Sequence, residues 1–153
     1  MDRTTLHRTT ARVLPVNGRG QVLLLHGWDP AEPESPYWFS VGGALEPGED
    51  HLTAAAREML EETGVQIDPA TLVVLATAPA EFDWGEFHLV QEQTWFACPL
   101  EPVETHFDNL EEAEVGTIDE VRWWAPADLQ ASGEETHDPL LSMMVAAVEK
   151  VGP

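Results

Sequence analysis

The sequence has 153 residues, of which 28 are acidic and 7 are basic, so its formal net charge is −21 at pH 7. A surface this acidic repels phosphate backbones and anionic lipid headgroups, which argues against nucleic acid or a membrane surface as a partner. The only cysteine, Cys98, excludes an intrachain disulfide and a cysteine-based zinc site, and the apolar run around it predicts a buried thiol.

The length and the hydrophobic fraction of 43% predict one domain, residues 1–153, with a packed core. The first residues lack the apolar segment of a signal peptide, and no stretch is apolar for long enough to span a bilayer. We therefore expect a cytoplasmic protein that is a monomer or a homodimer.

The predicted elements begin with a β-hairpin. Two strand-like stretches, 10–16 and 21–27, flank the sequence Asn-Gly-Arg-Gly at 17–20, which is a strong turn signal. A polar, proline-rich loop at 29–36 follows. A short strand is then predicted at 37–41, and it leads into a pair of glycines.

The clearest predicted element is a helix over residues 51–63. Asp50 suits its N-cap, and Gly64 suits the position after its last turn. At about 100° per residue, Leu52, Ala55, Met59 and Thr63 share one stripe of this helix. A different stripe of the same helix carries three glutamates: Glu58, Glu61 and Glu62.

The rest of the chain predicts more strands and a terminal helix. Stretches 72–78 and 87–100 are strand-like, and an acidic loop at 101–117 separates them from a further strand at 119–126. A short helical turn and an apolar helix at 139–151 complete the chain. This order predicts an α+β fold with helices packed on a mixed sheet.

The three glutamates of the helix have two explanations. They can form a solvated acidic face, although neighbouring like charges on a helix cost roughly 0.2–0.5 kcal/mol per pair. Alternatively they hold a divalent cation, because Mg²⁺ prefers oxygen ligands and bridges carboxylates to substrate phosphates. The carboxylates alone leave both explanations open.

The residues around these glutamates resemble the Nudix box. The stretch 43–65 has the residue types of that pattern, at the pattern's spacing, in every defining position. In order, they are Gly43, Glu49, Arg57, Glu58, Met59, Glu61, Glu62, Gly64 and Val65. The overall length and the segments on either side also look like a small Nudix domain.

The resemblance implies an α/β/α sandwich with a mixed sheet, in which the box forms a loop, a helix and a second loop. It implies that Mg²⁺ or Mn²⁺ is bound by Gly42, through its carbonyl, and by Glu58, Glu61 and Glu62. Arg57 would join these glutamates in the catalytic set by orienting their carboxylates. The box would be supported by Gly43, Glu49 and Gly64.

Many Nudix proteins recruit one more glutamate, as a ligand or a general base, from outside the box. The candidates are Glu112 and Glu114 in the acidic loop and Glu92 in a strand, although each also suits a solvated carboxylate. Several aromatic side chains are candidates for stacking a nucleobase, and we expect most of them to be core: Tyr37, Trp38, Phe39, Phe82, Trp84, Trp123 and Trp124.

The resemblance implies a hydrolase that acts on a small nucleotide, namely a nucleoside diphosphate linked to another moiety. Nucleoside triphosphates, ADP-ribose and nucleotide sugars are substrates of this kind. One alternative is a non-catalytic module that senses nucleotides or binds partners, but this chain keeps all four box glutamates. Isomerisation of a prenyl diphosphate is a second alternative, which the intact box also disfavours.

Overall fold

The computed structural model describes residues 3–105 and 117–153. This part of the chain contains seven β-strands, three α-helices and a short 3₁₀ turn at Pro69–Thr71. The strands are β1 (Thr4–Val16), β2 (Val22–Gly27), β3 (Tyr37–Phe39), β4 (Val41–Ala44), β5 (Val73–Trp84), β6 (Phe87–Pro99) and β7 (Ile118–Trp124). The helices are α1 (His51–Thr63), α2 (Pro126–Ser132) and α3 (Leu140–Val151).

All the strands belong to one mixed sheet. Its main path runs β3-β2-β1-β6-β5, with β4 paired to β1 and β7 paired to β2. The long strands β1 and β6 are parallel, from Thr4 opposite Phe87 to Val16 opposite Pro99. The other pairings are antiparallel. The β1–β6 register fixes which side chains of these two strands share a face of the sheet.

Helices pack on both faces of the sheet. On one face, Ala55 and Met59 of α1 belong to a buried cluster with Val13 of β1. On the other face, Met144 of α3 belongs to a second buried cluster with Leu14. Neighbouring residues of β1 thus face opposite helices, as the alternation of a strand requires. The expected α/β/α sandwich is confirmed.

The strands differ from the predicted ones in their limits. β1 begins at Thr4, because the mostly polar residues 4–9 pair with β6 even though they carry no apolar alternation. The single strand predicted at 37–41 is wrong: Ser40 separates β3, which pairs with β2, from β4, which pairs with β1. β5 continues beyond the predicted end to Trp84.

Helix α1 has the predicted limits and caps. The Asp50 carboxylate accepts a hydrogen bond from Thr53 N at 2.8 Å, and Gly64 adopts a left-handed conformation with φ 76°. Three residues of the predicted stripe, Ala55, Met59 and Thr63, are buried, but Leu52 is 38% exposed. Ala54, which lies outside that stripe, is also buried.

Two further expectations can be compared with the structure. Cys98 is buried, as predicted, and burial raises the pKa of its thiol to about 11. Within residues 3–105 and 117–153, no helix has the length and apolarity that a membrane span requires.

Candidate active site

The glutamates of α1 are not a solvated face. Glu58 is 4% exposed and Glu62 is 1% exposed, while the Glu61 side chain keeps 21% of its surface exposed. Burying a carboxylate costs several kcal/mol unless hydrogen bonds or a cation compensate. A solvated acidic face therefore does not explain Glu58 and Glu62, and the groups that compensate them define the candidate site.

Arg57 is the main compensating cation. Its guanidinium donates two hydrogen bonds to the Glu49 carboxylate, at 2.8 and 2.9 Å. Its Nη1 donates to Glu58 Oε1 at 2.9 Å and to Glu61 Oε2 at 3.1 Å. The hydrogen bonds to Glu49, and then the charges of Glu58 and Glu61, raise the pKa of Arg57, so the guanidinium stays charged.

The same arginine ties the helix to the loop before it. Arg57 Nη2 donates to the Ala44 carbonyl at 3.0 Å, and Glu49 Oε1 accepts from Glu46 N at 2.9 Å. The bidentate contact with Arg57 lowers the pKa of Glu49. Arg57 and Glu49 thus hold the loop and the carboxylates of α1 in one arrangement.

The two glycines of β4 let the backbone approach these carboxylates. Gly42 N donates to Glu62 Oε1 at 2.7 Å, and a Cβ on Gly42 would lie 2.3 Å from the Ala11 carbonyl oxygen. A Cβ on Gly43 would lie 2.5 Å from Glu58 Oε1. Any larger residue at either position therefore requires the surroundings to move.

The donor set suits a hard divalent cation, because it consists of carboxylate and carbonyl oxygens. The missing Cβ of Gly43 leaves the Glu58 carboxylate room beside the backbone. No three His, Cys, Asp or Glu side chains of the described residues are already arranged around a metal position. Arg57 Nη1 contacts both Glu58 and Glu61. The residues fit Mg²⁺ or Mn²⁺ by their chemistry.

Of the three glutamates predicted outside the box, the structure describes only Glu92. Glu92 is exposed on β6, opposite Thr9 of β1 and Pro79 of β5. Its side chain makes no hydrogen bond or ion pair with any residue the structure describes. Glu112 and Glu114 lie outside the described residues, so their role stays a prediction.

Two of the candidate aromatic residues are core. Trp38 is 2% exposed and Trp124 is 8% exposed, and their rings meet edge to face at 5.4 Å. Tyr37 is half-buried and packs on the His137 ring at 4.5 Å. Burial and the Asp29 charge raise the pKa of Tyr37, against a smaller opposing hydrogen bond from Trp84. Tyr37 and Trp84 are therefore neighbours.

The sequence analysis did not single out a contact between Arg8 and Gln91. Arg8 Nε and Nη2 donate to Gln91 Oε1 at 3.0 and 2.6 Å across the β1–β6 pair. Polar residues in a strand normally indicate a solvent-facing position, so the sequence does not predict a buried contact between these two. One signal in the sequence could have identified Arg8. The chain has few basic residues, yet Arg8 and Arg12 have the spacing that places both on one face of a strand.

The model of the NUDIX domain family matches residues 6–144. The chain therefore belongs to this family, as its box predicted. The fold and the class of protein, a Nudix-type pyrophosphohydrolase, agree with the expectation from the sequence.

The relatives and structural neighbours are consistent with this assignment. An RNA pyrophosphohydrolase of Erythrobacter litoralis is 28% identical over 132 residues, which cover 80% of this chain and 79% of the relative. The NUDIX domain of Shewanella oneidensis NrtR, solved with ADP-ribose, superposes with a TM-score of 0.69 at 16% identity, covering 95% of this chain and 88% of that one. The dihydroneopterin triphosphate pyrophosphohydrolase of E. coli has a TM-score of 0.64 at 19% identity, covering 95% and 97%. The two structural likenesses concern the fold.

Proposed function

We propose that this protein is a metal-dependent hydrolase that cleaves the pyrophosphate linkage of a nucleoside diphosphate joined to another group. Nucleoside triphosphates, ADP-ribose and nucleotide sugars are the substrate classes. The observation that carries the proposal is the burial of Glu58 and Glu62 beside a glycine backbone, with one guanidinium serving several carboxylates. A helix whose glutamates served solubility alone would expose them.

The proposed ligands of Mg²⁺ or Mn²⁺ are Gly42, through its carbonyl, and Glu58, Glu61 and Glu62. A divalent cation held by these residues would neutralise phosphate charge and lower the pKa of an attacking water. The chain's own contribution is to hold the carboxylates in place, which Arg57 does through its contacts with Glu58 and Glu61. Glu49 in turn fixes Arg57.

We assign the stacking of the nucleobase to Tyr37 and Trp84. Both side chains are half-buried, Trp84 hydrogen-bonds to Tyr37, and the charges of Asp29 and Arg12 both act on the Tyr37 hydroxyl. Half-buried aromatic side chains suit the stacking of a nucleobase. The buried Trp38 and Trp124 belong to the core and have no part in this assignment.

The names of the relatives favour a second candidate substrate, the 5′-terminal phosphates of RNA. The reacting group would be the same, because a triphosphorylated RNA end is also a nucleotide polyphosphate. A net charge of −21 opposes contact with the remaining RNA backbone. The small nucleotide therefore remains the first candidate.

The direct test is a substrate screen with Mg²⁺ and with Mn²⁺, each repeated in excess EDTA. It should include nucleoside triphosphates, ADP-ribose, nucleotide sugars, dinucleoside polyphosphates and a 5′-triphosphorylated RNA oligonucleotide. We expect release of phosphate, pyrophosphate or a nucleoside monophosphate from at least one of them, only with the cation. Tight nucleotide binding without turnover would favour the non-catalytic module instead, and full turnover in EDTA would contradict metal dependence.

A further inference from the structure

Arg8 is held by a neutral partner. Gln91 Oε1 accepts hydrogen bonds from both Nε and Nη2 of Arg8, and Gln91 is only 4% exposed. A guanidinium has donors and no acceptor, so the amide oxygen of Gln91 must face it. The contact orients the guanidinium without cancelling its charge.

This arrangement contrasts with Arg57, whose charge is matched by several carboxylates. Within residues 3–105 and 117–153, no carboxylate lies at ion-pair distance from Arg8. Burial, followed by the nearby Arg12 charge, lowers the pKa of Arg8. A half-buried cation without a carboxylate is unexpected in a chain with 28 acidic residues, unless its charge serves a ligand.

Arg8 lies beside the box. It precedes Thr10, which is paired with Ala44 at the end of β4. Arg8 lines an open groove of about 430 Å³ together with the loop that joins β4 to α1. The Glu58 carboxylate is close enough to raise the pKa of Arg8 against the effect of burial. Glu46 and Glu49 line the same groove, and Glu49 is paired with Arg57. An anion there would meet Arg8 on one side and this compensated part of the box on the other.

Gln91 carries a second sign of a missing ligand. Its amide nitrogen, Nε2, is buried and has no hydrogen-bond partner among the residues that the structure describes. Buried amide donors are normally satisfied, and an unpartnered one requires an explanation. An oxygen of a molecule bound beside Arg8 would supply the partner.

We infer that Arg8 and Gln91 form an anion-binding pair that contacts a phosphate of the substrate. Arg8 provides the charge, and Gln91 is the positioning residue that aims it. That the anion is a phosphate rests on the proposed function. The competing explanation is that the pair only links β1 to β6.

The test uses methylenediphosphonate, a diphosphate analogue that resists hydrolysis, with calorimetry in the presence of Mg²⁺. Gln91→Glu keeps the contact with Arg8 but cancels its charge, so we expect binding to weaken about tenfold or more. Arg8→Gln should weaken binding to a similar extent, and Arg8→Lys should lose less because it keeps the charge. Arg19→Gln, which removes an exposed charge in the β1–β2 turn, is the matched control and should bind within about twofold of the wild type.

The outcomes separate this inference from the proposed function. If Gln91→Glu or a folded Arg8→Gln binds the analogue as tightly as Arg19→Gln, or if the wild type does not bind it, the inference is overturned even when hydrolysis is intact. If the wild type binds and the variants do not, the pair is established even when no substrate is cleaved. For a substrate that is cleaved, Gln91→Glu should raise KM more than it lowers kcat.

Discussion

Arg57 is the residue on which the arrangement of the box depends most. Its side chain is 18% exposed and contacts the Glu49 and Glu58 side chains, which are 9% and 6% exposed. Without the guanidinium, these largely buried carboxylates would lose the cation that they share. The role of Arg57 is thus to make a dense group of carboxylates compatible with a folded protein.

We expect Arg57→Gln to destabilise the protein by about 3 kcal/mol, because it removes the shared partner of several shielded carboxylates. Arg57→Lys keeps the charge but loses the two-pronged contact with Glu49, so its stability should lie between those of the wild type and Arg57→Gln. The measurement is the free energy of unfolding in urea at pH 7. A wild-type value for Arg57→Gln would show that solvent or other groups compensate the carboxylates.

The contact between Glu49 and Arg57 should also make the free energy of unfolding depend on pH in the acidic range. The hydrogen bond from Arg57 lowers the pKa of Glu49 in the folded state, so the folded protein binds fewer protons than the unfolded chain. Its contribution is present above the ordinary glutamate pKa of about 4.3 and is lost as the pH falls through the lower, folded value.

Unfolding of the wild type and Glu49→Gln, measured from pH 7 to pH 3, tests this linkage. Glu49→Gln should be less stable at pH 7 and should lose less stability as the pH falls below about 4.3. Parallel pH profiles for the two proteins would mean that Glu49 does not contribute to acid unfolding.

Among the secondary-structure elements, β4 has the most demanding position. This four-residue strand pairs with β1 on one side and lies against the carboxylates of α1. Gly42 has φ 147°, a conformation that side chains rarely adopt, and its backbone N–H is bonded to Glu62. Gly43 has no such φ, so only the space beside Glu58 restricts it.

Alanine at the two glycines should therefore have different effects. Gly42→Ala meets the Ala11 carbonyl as well as backbone strain, and should cost more than about 2 kcal/mol of stability. Gly43→Ala meets the end of a flexible side chain, so it should remain folded while displacing the Glu58 carboxylate. Because small misplacements at a reacting centre are costly, we expect kcat to fall by about 100-fold. Melting temperatures and kcat of both variants provide the check, and a fully active Gly43→Ala would remove Glu58 from the proposed site.

The elements also show what the sequence was able to predict. The limits of α1 were predicted because Asp50 and Gly64 act on their nearest neighbours in the chain. The exposure of Leu52 and the burial of Glu58 and Glu62 were not, because β1 and β4 decide them from distant parts of the chain. The box residues were identified through a family pattern, whereas their burial is seen only in the structure.

The polar residues of the long strands were beyond sequence analysis for a similar reason. The extension of β1 to Thr4 depends on parallel pairing with β6, and residues 4–9 carry no apolar alternation of their own. The contact of Arg8 with Gln91 depends on the same register. A single sequence contains no information about which of several registers two polar strand segments adopt.

At the scale of the whole molecule, the charge is distributed unevenly. Three of the seven basic residues, Arg8, Arg12 and Arg57, act on the carboxylates of the box or on one another. Elsewhere the chain is strongly acidic, and its surface should repel long polyanions. A small phosphate compound can enter where the arginines are concentrated, but an extended RNA has to cross the acidic surface.

This charge distribution predicts how substrate length affects turnover. We expect kcat/KM to be lower for a 5′-triphosphorylated RNA of about ten nucleotides than for the matching nucleoside triphosphate, with the difference shrinking as salt screens the repulsion. Both can be measured at two salt concentrations with the same released product. A higher kcat/KM for the RNA would make an RNA end the preferred substrate.

The central claim is that the glutamates of α1 hold a divalent cation for hydrolysis, and Glu61→Gln tests it most directly. Glu61 is the least buried of the three. Replacing its carboxylate by an amide should therefore change the stability of the metal-free protein by only about 0.5 kcal/mol. We expect Glu61→Gln to lower kcat about 100-fold or more and to reduce the rise in melting temperature on adding Mg²⁺. Glu149→Gln, an exposed change of the same charge on α3, should leave both quantities at wild-type values. A wild-type kcat and an unchanged Mg²⁺ response in Glu61→Gln would contradict the account.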